Sequence, residues 1–263
     1  MDLQLRDKTA FISGSTQGIG YAIAKTLAGE GARVTLNGRD HGKVTAAVEA
    51  LRREIPGASV DGVAANFADP AQVERLCTEL SDVDILINNV GLFDLKPFEE
   101  ISADEWRRYF EVNTLSGALL SRRLLPGMLE RGWGRIVFIS SESGVNVPAD
   151  MIHYGASKAA MLALGNGLAK LTKGTGVTVN SILGGPTYSD GVAGTVEALA
   201  AQTGLAATEM KQAIIGTNQT TLLQRFIEPR EIAAMVTFLA SPLASATNGS
   251  AVRVDGGVLT TML

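Results

Sequence analysis

Seven short β-rich runs, separated by segments of helical length, constrain this chain more than any other feature of it. The runs are 9–13 (TAFIS), 33–37, 59–64, 84–88 (DILIN), 135–140 (RIVFIS), 177–183 and 251–254. Several are continuously apolar rather than alternating, the pattern of strands buried on both faces of a parallel sheet. The segments between them carry helix start signals. Asp69 precedes Pro70 as an N-cap before a first-turn proline. Ser102 and Glu105 have capping-box spacing, and Pro229 with early acids opens the last long helical stretch. Repeated strand–helix–strand order predicts an α/β fold with a doubly wound parallel sheet. No linker rich in proline, serine or charge interrupts it, so one domain over 1–263 is expected. The segment 190–221, rich in alanine and threonine, stands outside the pattern and is expected to cover a site as a lid.

Composition narrows the function classes. A net charge of −4 argues against general electrostatic binding to nucleic acid. Cys77 is the only cysteine, which rules out an intrachain disulfide. His41 and His153 have no cluster of cysteine or histidine around them, so no metal site is expected. The N-terminus has no basic segment followed by an apolar run, and no stretch of about 18 apolar residues occurs. A cytoplasmic protein is the expectation.

In GSTQGIG, Gly14, Gly18 and Gly20 stand between the first strand and its helix. Glycines there permit a tight turn and close approach to a pyrophosphate at a helix N-terminus. The spacing is G-x-x-x-G-x-G rather than the general G-x-G-x-x-G. A plain tight connection would read the same way, but the strand before and the helix after favour a nucleotide. The second strand ends in Asn37, Gly38 and Arg39, where an acid would favour NAD. A guanidinium can pair with a 2′-phosphate, which points to NADP. The alternative is a solvated Arg39 paired with Asp40; Gln17 offers no second cation.

The stretch MIHYGASKAA sets Tyr154 and Lys158 one helical turn apart among small neighbours. A free phenol has a pKa near 10 and is a sluggish base at neutral pH; a neighbouring ammonium would lower it. A chance surface pair is the bland alternative.

Over almost its whole length the chain resembles the classical short-chain dehydrogenases/reductases. The likeness rests on GSTQGIG, NNVG (88–91), Asn113 in EVNTLSG, GRIVFISSESG, YGASKAA, VNSILGGP and VRVDGG. It implies a Rossmann-like sheet of seven strands and a nicotinamide cofactor, NADP(H) preferred and NAD(H) possible. It also implies a catalytic set of Asn113, Ser141, Tyr154 and Lys158. Ser140 and Ser143 stand close by, but Ser141 holds the family's place relative to Tyr154. In these roles Tyr154 moves the proton, Ser141 holds the substrate oxygen, Lys158 holds the nicotinamide ribose and Asn113 steadies a water beside Lys158.

Carried over by motif, the cofactor positions are Gly14, Ser15, Gln17, Ile19, Arg39 and Asn66, then Asn88, Gly91, Tyr154, Lys158, Pro186 and Thr187. The chain departs from the family at Val90 (usually alanine), Asn66 (commonly aspartate), Gly184 (usually proline) and Ser189 (often threonine). None of these removes a catalytic group. The implied activity interconverts a ketone and a secondary alcohol, either as a 3-oxoacyl-carrier-protein reductase-like enzyme or as a dehydrogenase of small alcohols, sugars or steroid-like ketones. A non-catalytic nucleotide-sensing protein on the same fold is the alternative. The expected partners are a small carbonyl or alcohol substrate and other copies of the chain. A tetramer would form through the long helical stretches 102–129 and 154–172, which carry apolar residues on more than one face. His153, Trp106 and Trp133 read as packing residues.

Overall fold

The computed structural model describes residues 1–217 and 221–262. The apolar runs form one parallel seven-stranded sheet: β1 (Thr9–Ile12), β2 (Arg33–Gly38), β3 (Val60–Ala64), β4 (Ile85–Asn88), β5 (Trp133–Ser141), β6 (Gly176–Gly184) and β7 (Ala251–Val254). The order is β3-β2-β1-β4-β5-β6-β7. This is the doubly wound arrangement expected from the sequence. Its order reverses between β1 and β4, so the crevice opens at the carboxyl ends of these two strands.

Both faces of the sheet are covered, which explains why its strands do not alternate. On β1, Ala10 and Ile12 join one core while Phe11 joins the other. On β4, Ile85 and Ile87 face the first and Leu86 the second. The first core receives α1 (Gly18–Gly29), α2 (His41–Glu54) and α9 (Pro229–Ala240). The second receives α3 (Pro70–Glu79), α5 (Ser116–Glu130) and α6 (Ile152–Lys170).

Local signals act where the sequence places them. Asp69 accepts from the amides of Ala71 and Gln72, and Ser102 and Glu105 make a reciprocal capping box at the start of α4 (Ala103–Tyr109). The stretch 102–129 is not one regular helix. A π-helical segment, Phe110–Leu115, joins α4 to α5 and carries Asn113. Such bulges occur mostly as single turns and often at functional sites. His153 is buried, its ring 4.0 Å from that of Tyr109, in keeping with a packing role.

The excursion after β6 holds α7 (Asp190–Thr203) and α8 (Ala207–Thr217). They pack chiefly on each other, around a small cluster of Val196, Ala200 and Met210 separate from the two main cores. Residues 218–220 of the segment expected to form the lid lie outside the described residues. Among the described residues no helix is long and apolar enough to cross a membrane.

Candidate active site

The glycine-rich turn leaves β1 at Ser13 and enters α1 at Gly18. Gly14 and Gly18 have φ of 61° each, in the left-handed region that only glycine adopts freely. Gly20 has a different reason: a Cβ there would come within 2.5 Å of Asn89 Nδ2 and of the Gly14 carbonyl. Asn89 is the clamp between β1 and β4, donating to the Ser13 and Gly14 carbonyls at 3.0 and 2.8 Å.

Beside the turn lies a cleft of about 300 Å³. Gly14, Gln17, Arg39, Asn66 and Gly91, all assigned from sequence, line it. So do Lys43, Arg108, Val90 and Val112, which sequence reasoning did not assign to the cofactor. Lys43 had a readable signal, because it follows Arg39 by four residues across the start of α2. Asp40 accepts from the Lys43 amide at 2.8 Å as the N-cap of α2. Among the described residues Arg39 makes no ion pair with it, and Arg39 is exposed.

The remaining assigned positions lie elsewhere. Ser15 is fully buried, donates to the Ile12 carbonyl at 2.7 Å and accepts from the Asn37 amide. Ile19 packs against the first core. Asn88 is buried and donates to Ser121 at 3.4 Å. The Pro186 carbonyl accepts from the Ile227 amide, and the Thr187 hydroxyl turns back to the Gly185 carbonyl. The valine in NNVG stands tight against the turn, since a Cβ on Gly14 would meet Val90 Cα at 3.0 Å.

The four residues of the expected catalytic set come from β5, α6 and the π-helical segment. Ser141 ends β5, and its hydroxyl accepts from the Ser143 amide at 3.1 Å and lies close enough to the Tyr154 phenol to lower its pKa. Lys158 is buried and donates to the Ile139 carbonyl at 2.9 Å; its nitrogen stands 5.6 Å from the Tyr154 ring centre. Ser140, the nearest decoy, bonds the Lys158 carbonyl instead. Asn113 is fully engaged: its Oδ1 accepts from the Leu92 amide, and its Nδ2 donates to the Leu92 carbonyl and to Ser157. Those bonds pin the segment after β4 onto α6. A Cβ on Gly91 would lie 3.3 Å from Lys158 Nζ and 3.7 Å from Asn113 Oδ1, so Gly91 occupies the gap between them. Phe93 stands edge-on to Tyr154, their ring centres 6.5 Å apart.

The electrostatics differ from the sequence expectation in one respect. Lys158 was expected to lower the phenol's pKa. In the protein alone, burial pushes Tyr154 up to about 12; the nearby Ser141 hydroxyl opposes this and the Glu142 charge adds to it. Burial also lowers Lys158 to about 8. Desolvation of both groups outweighs their attraction, because the lysine points at the Ile139 carbonyl rather than at the phenol oxygen. Glu142 is the residue that sequence reasoning undervalued: burial raises its carboxyl to about 7, with Asp255 adding to the shift and a Ser143 hydrogen bond opposing it.

The cleft suits a dinucleotide. It combines glycines that a side chain would fill, a helix N-terminus and two cations at one end. Comparison with known proteins agrees. The family described as short chain dehydrogenase matches residues 8–200. An uncharacterized oxidoreductase, YvrD, of Bacillus subtilis (strain 168) is 43% identical, the alignment covering 98% of this chain and 99% of that protein. A D-beta-hydroxybutyrate dehydrogenase of Cupriavidus necator is 32% identical, with 96% and 98% covered. The crystal structure of L-sorbose reductase from Gluconobacter frateurii, complexed with NADPH and L-sorbose, superposes with a TM-score of 0.94 at 31% identity, both chains fully covered.

Proposed function

The chain belongs to the short-chain dehydrogenase family, and from that membership we propose that it reduces a ketone to a secondary alcohol with NADPH, through Ser141, Tyr154 and Lys158. The observation that carries this reading is the meeting of Ser141, at the end of β5, with Tyr154 and Lys158 on α6, Lys158 Nζ standing 5.6 Å from the Tyr154 ring centre, beside a cleft that holds Arg39 and Lys43. Bound NADPH supplies the hydride. Arg39 and Lys43 hold the 2′-phosphate end, and the glycine turn takes the pyrophosphate. Likeness to a reductase complexed with NADPH supports the cofactor preference.

Ser141 donates to the substrate oxygen and fixes it for attack. Tyr154 gives its proton to that oxygen as alkoxide character develops. A phenol held near 12 keeps its proton at neutral pH, which is the form that reduction consumes. Lys158, lowered to about 8, is still mostly an ammonium there and can restore the proton. Asn113 acts by position: it fixes the Leu92 backbone, and with it Gly91, against α6. The described part of the expected lid segment, 190–217, with the chain as one domain, forms the lid over this site. Phe110 and Leu115, left exposed near α5, and Leu171 after α6 support self-association into a tetramer.

The test is Tyr154→Phe, assayed by NADPH absorbance on a panel of ketones and by NADPH titration. Turnover is expected to fall by at least about a thousandfold while the dissociation constant for NADPH stays within about twofold. Turnover at the wild-type rate would overturn the assignment.

A further inference from the structure

The cleft at the glycine turn holds a third cation besides Arg39 and Lys43. Arg108, in the last turn of α4, lines it together with Val112, four residues further on in the π-helical segment. The two differ in burial, Val112 being buried and Arg108 exposed. One side of the cleft therefore has a valine at its floor and a guanidinium at its rim. Val90 and the buried Ala65 also line it and continue the apolar floor.

Arg108 is not held by its own helix. Asp104 precedes it by four residues, a spacing at which helical side chains meet, but Asp104 pairs with Arg107 at 2.6 Å. Glu111 follows it by three residues, where the winding has changed to π-helical. Neither acid claims it: among the described residues Arg108 is in no ion pair. An exposed guanidinium that leaves both acids aside and lines a cleft is available to what the cleft binds.

Arg39 and Lys43 come from a different wall, the end of β2 and the first turn of α2. Two cations there are enough for a phosphate. A third, set on α4 above an apolar floor, suits a different part of a dinucleotide. Adenine is flat and uncharged and has two π faces. An apolar floor takes one face; a guanidinium, itself planar and weakly hydrated, stacks on the other.

We propose that Arg108 binds the cofactor by stacking its guanidinium plane on the adenine ring, with Val112 beneath the base, and that it therefore contributes equally to NADPH and NADH. This rests on the reading of the cleft as the dinucleotide site. Recognition of one nucleotide is then divided between two walls. Arg39 and Lys43 read the 2′-phosphate by charge, and Arg108 grips the base that both cofactors share. The base takes no part in hydride transfer, so the residue acts on binding and leaves the chemical step alone.

The test is fluorescence titration of wild type, Arg108→Ala, Arg108→Lys and Arg108→Tyr with NADPH and with NADH, and a thermal melt of each. Lysine keeps the charge without the plane, and tyrosine keeps a plane without the charge. Arg108→Ala and Arg108→Lys are expected to weaken both cofactors by about tenfold and by the same factor, while Arg108→Tyr stays within about threefold of wild type. Because Arg108 is exposed, all three are expected to melt within about 2 °C of wild type. In turnover assays Arg108→Ala should raise KM for NADPH and leave kcat unchanged. Wild-type affinity in Arg108→Lys with a loss in Arg108→Tyr would show a charge contact and overturn the proposal. So would a loss confined to NADPH, or an unchanged Arg108→Ala, each leaving the proposed reductase activity standing. Failure of wild type to bind either nucleotide overturns both.

Discussion

Gly91→Ala separates folding from chemistry in this protein. The added methyl would sit 3.3 Å from Lys158 Nζ and 3.7 Å from Asn113 Oδ1, and no backbone atom comes closer than the Asn89 carbonyl at 3.9 Å. Gly91 does not have positive φ, so alanine adopts its backbone without strain. Loss of glycine's freedom in the unfolded chain favours the variant by roughly 0.4–1 kcal/mol. Against this stands a shift of a few tenths of an ångström at the end of a flexible side chain. Stability should therefore change by no more than about 1 kcal/mol in either direction.

The ammonium is nevertheless the group whose place matters, because its bond to the Ile139 carbonyl at 2.9 Å sets its distance from Tyr154. A misplacement of about 1 Å costs on the order of 100-fold in rate. A few tenths should cost roughly three- to tenfold in kcat/KM. Thermal melts and steady-state NADPH oxidation, run on the same preparation, read the two effects separately. Wild-type kcat/KM in Gly91→Ala would refute the idea that this gap places the lysine. A loss of several kcal/mol would show that the glycine serves packing instead.

Other outcomes follow from the same geometry. Arg39→Asp should weaken NADPH binding by about 10- to 100-fold and leave NADH within about threefold, measured by fluorescence titration; equal loss for both would show that Arg39 does not read the phosphate. Lys158 has a folded pKa depressed to about 8. The unfolded chain thus binds more protons above that pH, and stability rises as pH climbs from about 8 toward the ordinary lysine range. Lys158→Met should be the more stable protein at pH 7, and its lead should shrink by about 1 kcal/mol at pH 9 in urea melts of both. Gly167→Ala, on the exposed side of α6 with nothing within 4 Å of the new methyl, should raise Tm by about 2–4 °C without altering turnover.

Much of this was legible in the residues because the fold is repetitive and its signals are local. Continuous apolar runs such as DILIN and RIVFIS announced strands covered on both faces, and Asp69 and Ser102 announced helix starts that the structure has. The serine, tyrosine and lysine were legible through their ordered motifs. What escaped was set by side-chain direction and burial, which spacing does not encode. Whether Lys158 acidifies Tyr154 depends on where its nitrogen points, and it points to a carbonyl two residues before Ser141. Ser15 and Asn88 sit within nucleotide motifs, and their side chains bond the Ile12 carbonyl and Ser121 of α5, contacts that motif spacing does not encode. Lys43 reaches the cleft from the first turn of α2, four residues after Arg39 and outside the glycine turn where a second cation was expected. The π-helical segment at Asn113 has no composition that distinguishes it from a helix.

The small cluster between α7 and α8 has a further consequence for how the molecule opens. A unit that buries Val196, Ala200 and Met210 on itself shares little apolar surface with the two main cores. Among the described residues its side-chain tie to the glycine turn is Asp190 Oδ2 accepting from the Gly18 amide at 2.6 Å. At its root, Tyr188 and Thr187 are paired with Ile227, which anchors the near end. A unit that buries so little apolar surface is expected to open locally at a lower free energy than the sheet, its amides exchanging sooner with solvent. Because its tie ends on the turn shaped for an anion, a pyrophosphate bound there, as the proposed function requires, would compete with Asp190 for the Gly18 N–H, so exchange across α7 and α8 is expected to rise when NADPH is added.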